Sequence, residues 1–386
     1  MTNDPISHPR QTSKLRAMFG SWFKDEKGDD AVAAPSFGAV FHEYPHPEDW
    51  RGLVNELVAR FGPDGEEIPQ DMCPCGNRKA TARRFLVARK YNVDAAEKML
   101  RDTLVWRQTV AVGEVSGVDN VLHAKPRWDL LADNRKIIPA SPFHCYTKQG
   151  YPVYMLRLGQ GDGALATAAP EECHIYASII RGEHLVKVIV PEAQKRHIAN
   201  GGRRGMERRM REAAEAAGES MPPLVESDDR EDDDDEHDIM DKQVVIVDLE
   251  GIGMSALRCL YVFKCINSVA SYNYPELSKA IYVLNSPSVF DYLWSAVKPL
   301  LAAHTQSKIR IFQSGPEQYN ALQQILEDDD IPDYLTPQTE GEATKGRSGS
   351  VTLAERPEFR PQGVKDLDEW IESLSEHPEK DCPFSP

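Results

Sequence analysis

The spacing of apolar positions changes period along the chain. From about residue 41 to 123 it is helical. In NRKATARRFLVARKYNVDAAEKMLRDTLVWRQTV, Asn92 is placed to cap a helix that buries Val93, Ala96, Leu100 and Thr103 with Met99 and Trp106. The period then shortens. YPVYMLRL (151–158), QVVIVDL (243–249), KAIYVLN (279–285) and SKIRIFQ (307–313) are rich in Val, Ile and Tyr and read as strands. Helical stretches lie between and after them, at roughly 170–190, 253–273, 288–303 and 317–327. Strands joined through helices of this length need crossover connections, so the predicted class is α/β with a mostly parallel sheet.

One of these helices is apolar on too many sides. In SVFDYLWSAVKPLL (288–301), Val289, Phe290, Tyr292, Leu293, Trp294, Ala296, Val297, Leu300 and Leu301 cover well over half of the circumference. Only Asp291, Ser295 and Lys298 share a polar stripe. The pattern fits either a core helix or a lid over something that is itself apolar.

Other stretches break the alternation. Residues 1–40 form a flexible N-terminal segment with one amphipathic stripe, Leu15, Met18, Phe19, Trp22 and Phe23, flanked by Lys14, Arg16 and Lys24. Such a stripe either lies in a lipid interface or packs on its own domain. Residues 199–241 run from basic through Ala/Glu-rich to acidic, with too few large apolar residues to offset ordering entropy, and are expected to be a charged, mostly disordered insertion. The expected organisation is a helical subdomain over 41–123, an α/β domain over 124–336 and a low-order tail over 337–386, in which VKDLDEWIESLSEH forms one short helix.

Charge narrows the partners. The 386 residues carry a net charge of −16 and a pI near 5.2, which argues against general affinity for nucleic acid or an anionic membrane. Residues 226–241 hold eleven acids and one Arg, so the remainder is only mildly acidic. Seven Cys, and no apolar leader, point to a reducing compartment. No run approaches the roughly 20 apolar residues needed to span a bilayer. The expectation is a cytoplasmic protein whose membrane contact is peripheral.

Candidate chemistry is sparse. VVIVDLEGIGMSA matches a G-x-G-x-x-A dinucleotide fingerprint at Gly251, Gly253 and Ala256. Asp248 and Glu250, however, would put negative charge beside a pyrophosphate, and the next strand ends on Asn285 where an acid is needed. LGQGDGA (158–164) lacks the Lys-Ser/Thr of a phosphate loop. Cys73 and Cys75 have one residue between them and no second pair, and Cys173, His174 and His184 lack matched metal-ligand spacing. No nucleophile–base arrangement stands out. The reading is therefore of a protein that is not an enzyme and uses neither cofactor nor metal.

Four ordered segments resemble the CRAL-TRIO lipid-binding family, which includes the yeast-type phosphatidylinositol/phosphatidylcholine transfer proteins. RRFLVARKYNVDAAEKMLRDTLVWR (83–107) is similar to its N-terminal helical signature, and KQGYPVYMLRLGQ (148–160) to its first strand. VVIVDLEGIGMS (244–255) is similar to its D-x-x-G strand end. NYPELSKAIYVLNSPSVFDYLWSAVKPLLAAHTQSKIRIF (273–312) resembles its Y-P-E, N-x-P, gate-helix and K-P-x-L signatures in order.

The resemblance implies a sheet that floors an apolar cavity gated by one movable helix, holding a phospholipid that is exchanged at membranes. Phosphatidylinositol or a phosphoinositide is the first guess. The family's headgroup cations correspond to Arg89, Lys90 and Lys298. Two other lining positions depart: an acid is replaced by Cys265, and a small hydroxyl residue by Tyr292. Tyr154 on the first strand, with Phe290, Leu293, Trp294 and Val297 of the gate helix, completes the expected ligand-binding set. Some members instead act as scaffolds for small GTPases, and the acidic insertion would suit a basic protein partner.

Overall fold

The computed structural model describes residues 47–123, 127–141, 143–216, 239–288, 290–301, 303–336 and 367–376. The stripe at 14–24 and the acidic run up to residue 238 lie outside them, as does most of the tail.

Three helices build the first layer: α1 (Trp50–Ala59), α2 (Arg78–Ala88) and α3 (Val93–Thr109). Each begins on a side-chain cap. Asp49, Asn77 and Asn92 accept hydrogen bonds from the amides of Gly52, Ala80 and Ala95 at 3.2, 2.8 and 2.9 Å, satisfying donors that helix starts leave unpaired. Val54, Leu57, Phe61, Ile68, Phe85, Leu86 and Leu100 form their shared core. Lys90 and Tyr91 both take positive φ, which turns the chain sharply between α2 and α3.

A short hairpin, β1 (Ala111–Val112) and β2 (Val115–Ser116), and two helices, α4 (Val118–His123) and α5 (Trp128–Ile137), lead into the sheet. Its strands are β3 (Ala140–Ser141), β4 (Val153–Arg157), β5 (Gln243–Asp248), β6 (Ser278–Leu284) and β7 (Ile309–Ile311), in spatial order β3-β4-β5-β6-β7. Only the β3–β4 pair is antiparallel; the other three pairs are parallel, each joined by a helical crossover.

Between β4 and β5 run α6 (Gly163–Ala168), α7 (Glu171–His184), a π turn at Leu185–Ile189, and α8 (Val190–Ala199). The π turn has a local cause. Pro191 has no amide to give and its ring crowds the preceding turn; the helix widens there, with the Val190 amide bonding the Leu185 carbonyl. Next comes α9 (Gly202–Ala216), so the basic half of the segment expected to lack order is helical. Arg, Glu, Ala and Met are strong helix formers, and propensity supplies what burial does not. Arg209 braces its start with a 2.7 Å bond to the Asn200 carbonyl.

The remaining helices are α10 (Leu260–Asn273), α11 (Phe290–Val297), α12 (Ala303–Ser307), α13 (Pro316–Ile325) and α14 (Leu367–Glu376). α14 is the short helix expected in the tail. It buries Leu367, Trp370 and Ile371 in a cluster with α4, α5 and α7, and Trp370 lies 5.3 Å from the His184 ring.

An ionic knot ties α3 to the sheet domain. Glu183 of α7 is fully buried, and accepts from Arg107 of α3 and the Tyr274 hydroxyl, both at 2.6 Å, with Lys187 3.4 Å away. Burial pushes its carboxyl up, but Arg107 and then Lys187 outweigh that and hold it below the usual value. The aromatic ring of Tyr274 also stands edge-on to Trp106 at 6.1 Å. The W-R pair that ends the N-terminal signature is thus a clasp between layers.

Candidate functional site

The two faces of the sheet are packed differently. On the outer face Val153, Met155, Val244, Ile246, Ala280, Tyr282 and Leu284 are buried against Leu322, Ile325 and Leu326 at α13. On the inner face the register lines up two rows: Tyr154–Val245–Ile281–Ile309, and Leu156–Val247–Val283–Ile311. These rows lie under α7, α10 and α11, yet Tyr154, Leu156, Val247, Ile281 and Ile311 stay partly accessible. Apolar side chains on covered central strands keep accessible surface only where the layer above does not close on them. The inner face keeps accessible apolar surface beneath these helices.

One of the covering helices is α11. Phe290 and Trp294 stack at 6.1 Å and pack against the cluster of Leu249, Val283 and Ile309, and Leu293 is 8% exposed. Val297 is half-buried, whereas Tyr292, 70% exposed, points away with Asp291 and Ser295. The helix ends at Val297, earlier than its apolar pattern suggests, because Pro299 lacks an amide and disfavours helical backbone at Lys298. Lys298 is exposed on the closing turn. That turn is held by side chains from outside the helix: Asn267 bonds the Leu300 carbonyl at 2.9 Å, and Gln306 bonds the carbonyls of Leu301 and Lys298 at 2.9 and 3.2 Å.

The other end of α11 starts from a fixed point. Asn285 has φ 52°, a conformation Asn tolerates better than most residues, and follows β6 directly. Its amide side chain donates to Asp248 at 2.8 Å and its backbone amide donates to Gln318 at 2.7 Å. Asp248 also receives the Glu250 amide at 2.9 Å and Arg157 at 3.4 Å. This carboxylate, one of the charges that spoke against a dinucleotide, is a fully engaged strand-end tie. Gly251, at φ 90°, sits where an added Cβ would come within 3.0 Å of the Gly159 carbonyl, so the glycine serves loop packing.

The cations expected at a headgroup lie on separate elements. Arg89 caps α2 and bonds the Ala88 carbonyl at 3.0 Å; Lys90 is exposed in the next turn. α2 approaches the sheet at the opposite strand ends from those where α11 departs, since Arg84 contacts the Pro275 carbonyl at 3.4 Å and Asp241 at 3.8 Å. Among the described residues no hydrogen bond or ion pair joins Arg89 to Lys298. Cys265 is buried on α10, with its Sγ 3.9 Å from Glu171. Burial, then that carboxylate, pushes its thiol up to about 12, so it stays neutral and carries no acid's charge.

The structure adds a cation that motif reasoning passed over. Arg181 of α7 is half-buried. Its Nε is buried and has no hydrogen-bond partner. The available signal was the spacing His174, Ser178, Arg181, a polar stripe along one face of a largely apolar helix.

Comparison with known proteins fits this architecture. Residues 231–336, from the approach to β5 through α13, match the CRAL/TRIO domain. The chain is 27% identical over 263 residues to "Protein real-time" of Anopheles gambiae, covering 66% of this chain and 31% of that protein. It is 23% identical over 292 residues to "Phosphatidylinositol/phosphatidylcholine transfer protein SFH11" of Arabidopsis thaliana, covering 74% and 63%. A solved structure, "Crystal structure of Sfh5", aligns over 86% of this chain and 93% of its own at 14% identity and a TM-score of 0.45. The chain thus spans under a third of the insect relative and under two thirds of the plant one. The family match thus falls on β5, α11 and β7, and the alignments with these relatives, covering 66% and 74% of this chain, reach beyond it.

Proposed function

We propose that this protein binds a phospholipid in the cavity between the sheet and α7, α10 and α11, and transfers or presents it at membranes when α11 swings out. The observation that carries this reading is the contrast between the two sheet faces: the outer one is closed by α13, while the inner one keeps accessible apolar side chains under a mostly apolar helix. A plant relative named as a phosphatidylinositol/phosphatidylcholine transfer protein supports the ligand class.

The energetics favour a closed carrier. A two-chain lipid with about 30 methylenes, at about 0.8 kcal/mol each, would cost on the order of 25 kcal/mol to expose to water. Moving it from a bilayer into an equally apolar cavity is near neutral, which leaves gate opening to set the rate. Phosphatidylinositol or a phosphoinositide is the proposed ligand, with Arg89, Lys90 and Lys298 as headgroup contacts once the gate and turn regions move. The proposal assigns no catalysis. Membrane contact is peripheral: among the described residues no helix is long and apolar enough to cross a bilayer.

Native mass spectrometry of protein purified from its own cells, paired with a vesicle-to-vesicle transfer assay, tests the proposal. A co-purifying phospholipid and measurable transfer are expected. Recovery without lipid, together with no transfer, would overturn it.

A further inference from the structure

Charge is segregated along the segment that holds α9. Residues 195–211, the end of α8 and the first ten residues of α9, carry seven Lys or Arg and one Glu, a local charge of +6 in a chain of −16. Arg204, Arg208 and Arg211 follow one another at spacings of four and three, which sets them in a stripe along one face of the helix. Arg204 and Arg208 are exposed and Arg211 is half-buried. Glu212, also exposed, lies 3.8 Å from Arg208, a surface pair that adds little. Arg209 is turned elsewhere, to the Asn200 carbonyl at 2.7 Å.

The path of the chain brings the opposite charge back to this face. α9 starts against the end of α8, where a Cβ on Gly205 would come within 2.0 Å of the Asn200 carbonyl, and its fifteen residues carry the backbone about 22 Å along the helix axis to Ala216. After a further 22 residues the chain is at α8 again: the Met240 amide donates to Gln194 at 2.6 Å, and Asp241 lies 3.8 Å from Arg84. Residues 217–238 thus connect the far end of α9 to a point five residues before α8 ends. A chain of that length spans on the order of 25 Å, close to the length of the helix it has to pass. Its charge is ordered along the path. Ten acids and one Arg fall between 226 and 238, the half that leads into α8, and all five Arg of α9 lie in the part of that helix nearest α8.

We propose that the acidic run 226–238 docks on the Arg204, Arg208 and Arg211 face of α9 in the same chain and withholds that face from other anions. Each surface pair is weak and screened by salt. The tether makes them act together, because two segments joined by a short linker meet at an effective concentration in the millimolar range. Ion pairing then adds to the propensity that already favours α9. An acidic protein or an anionic bilayer has to displace the run before it can reach the stripe. The docking is independent of any ligand under α11.

The test uses the full chain in four forms. They are wild type; a run-neutral form with Asp228→Asn, Asp229→Asn, Asp232→Asn, Asp233→Asn, Asp234→Asn and Asp235→Asn; a stripe-neutral form with Arg204→Gln, Arg208→Gln and Arg211→Gln; and the two sets combined. Hydrogen exchange of the α9 amides is read by mass spectrometry at about 50 mM and about 500 mM salt, where screening differs strongly. Two probes are added in trans: a fluorescent peptide with the sequence of residues 226–238, and phosphatidylcholine vesicles containing phosphatidylserine. Neutralising the run should speed α9 exchange about fivefold or more at the lower salt and less than twofold at the higher. In the stripe-neutral background the same change should have less than a twofold effect, which marks the two sets as coupled. The peptide should bind the run-neutral form at least about tenfold more tightly than wild type, whose face is occupied, and binding should be lost in the combined form. Equal α9 exchange in wild type and the run-neutral form at the lower salt would overturn the docking, as would an equal acceleration with and without the stripe. A run-neutral form that binds the vesicles but not the peptide would assign the face to a membrane and overturn it as well. Should the run-neutral form not fold, wild type and the stripe-neutral form decide: α9 exchange with the same salt dependence in both refutes the docking.

Discussion

Glu276 shows how much one residue of the Y-P-E signature does. It takes positive φ at the entry to β6 and receives Lys308 at 2.5 Å and His304 at 2.9 Å, which binds β6 to the approach of β7. Burial pushes its carboxyl up, but the His304 bond and the Lys308 charge outweigh that and bring it down to about 2. Burial also pushes the Lys308 ammonium down, against which its pairing with Glu276 favours the charged form. A carboxyl depressed in the folded state stabilises the fold above its unfolded value near 4.5, and that stability is lost as pH falls toward 2. The shift corresponds to on the order of 3 kcal/mol. Glu276→Gln should therefore lower stability at pH 7 and flatten its decline between about pH 5 and 2, as read by urea unfolding across that range. An unchanged acid limb would remove Glu276 from this role. The identity of this residue was legible in the sequence, but its partners were not, since they lie about 30 positions downstream.

At the scale of elements, α11 separates the lid reading from the core reading. Leu293 is its one buried side chain, Phe290 and Trp294 rest on the inner rows, and the turns at both ends are held by a few side-chain bonds. A helix so attached leaves its seat more readily than one in a closed core. Trp294→Ala should weaken its contact with the sheet by roughly 1–2 kcal/mol, less than a full core truncation. If α11 is the gate of the proposed carrier, vesicle exchange should rise several-fold to about tenfold while the melting temperature changes little. A large drop in melting temperature with unchanged exchange would make α11 an ordinary core helix. The excess of apolar positions was plain from the sequence. The early stop at Val297 was also written there, in Pro299, although helical periodicity masked it.

For the molecule as a whole, the clasp at Glu183 joins the three-helix layer to the sheet domain through Arg107, Tyr274 and Lys187. Removing its carboxylate leaves buried Arg107 with only Asp71, an exposed carboxylate 3.0 Å away, as counter-charge. Glu183→Ala should destabilise the protein by about 3–5 kcal/mol in denaturant titration, and an effect below about 1 kcal/mol would show the clasp to be dispensable. The same mutation tests whether the helical layer and the sheet melt as one unit, since the link between them is then broken.

The sequence by itself determined the strand and helix order, the cap at Asn92 and the apolar excess of α11, because these depend on local period and on neighbours within a few residues. Local rules misread α9, whose helix rests on propensity where burial had been the criterion. Only the tertiary structure decided which alternation of each strand faces α13 and which faces α7, α10 and α11. Parallel register sets that choice for all strands together, and a shift of one residue would exchange the faces.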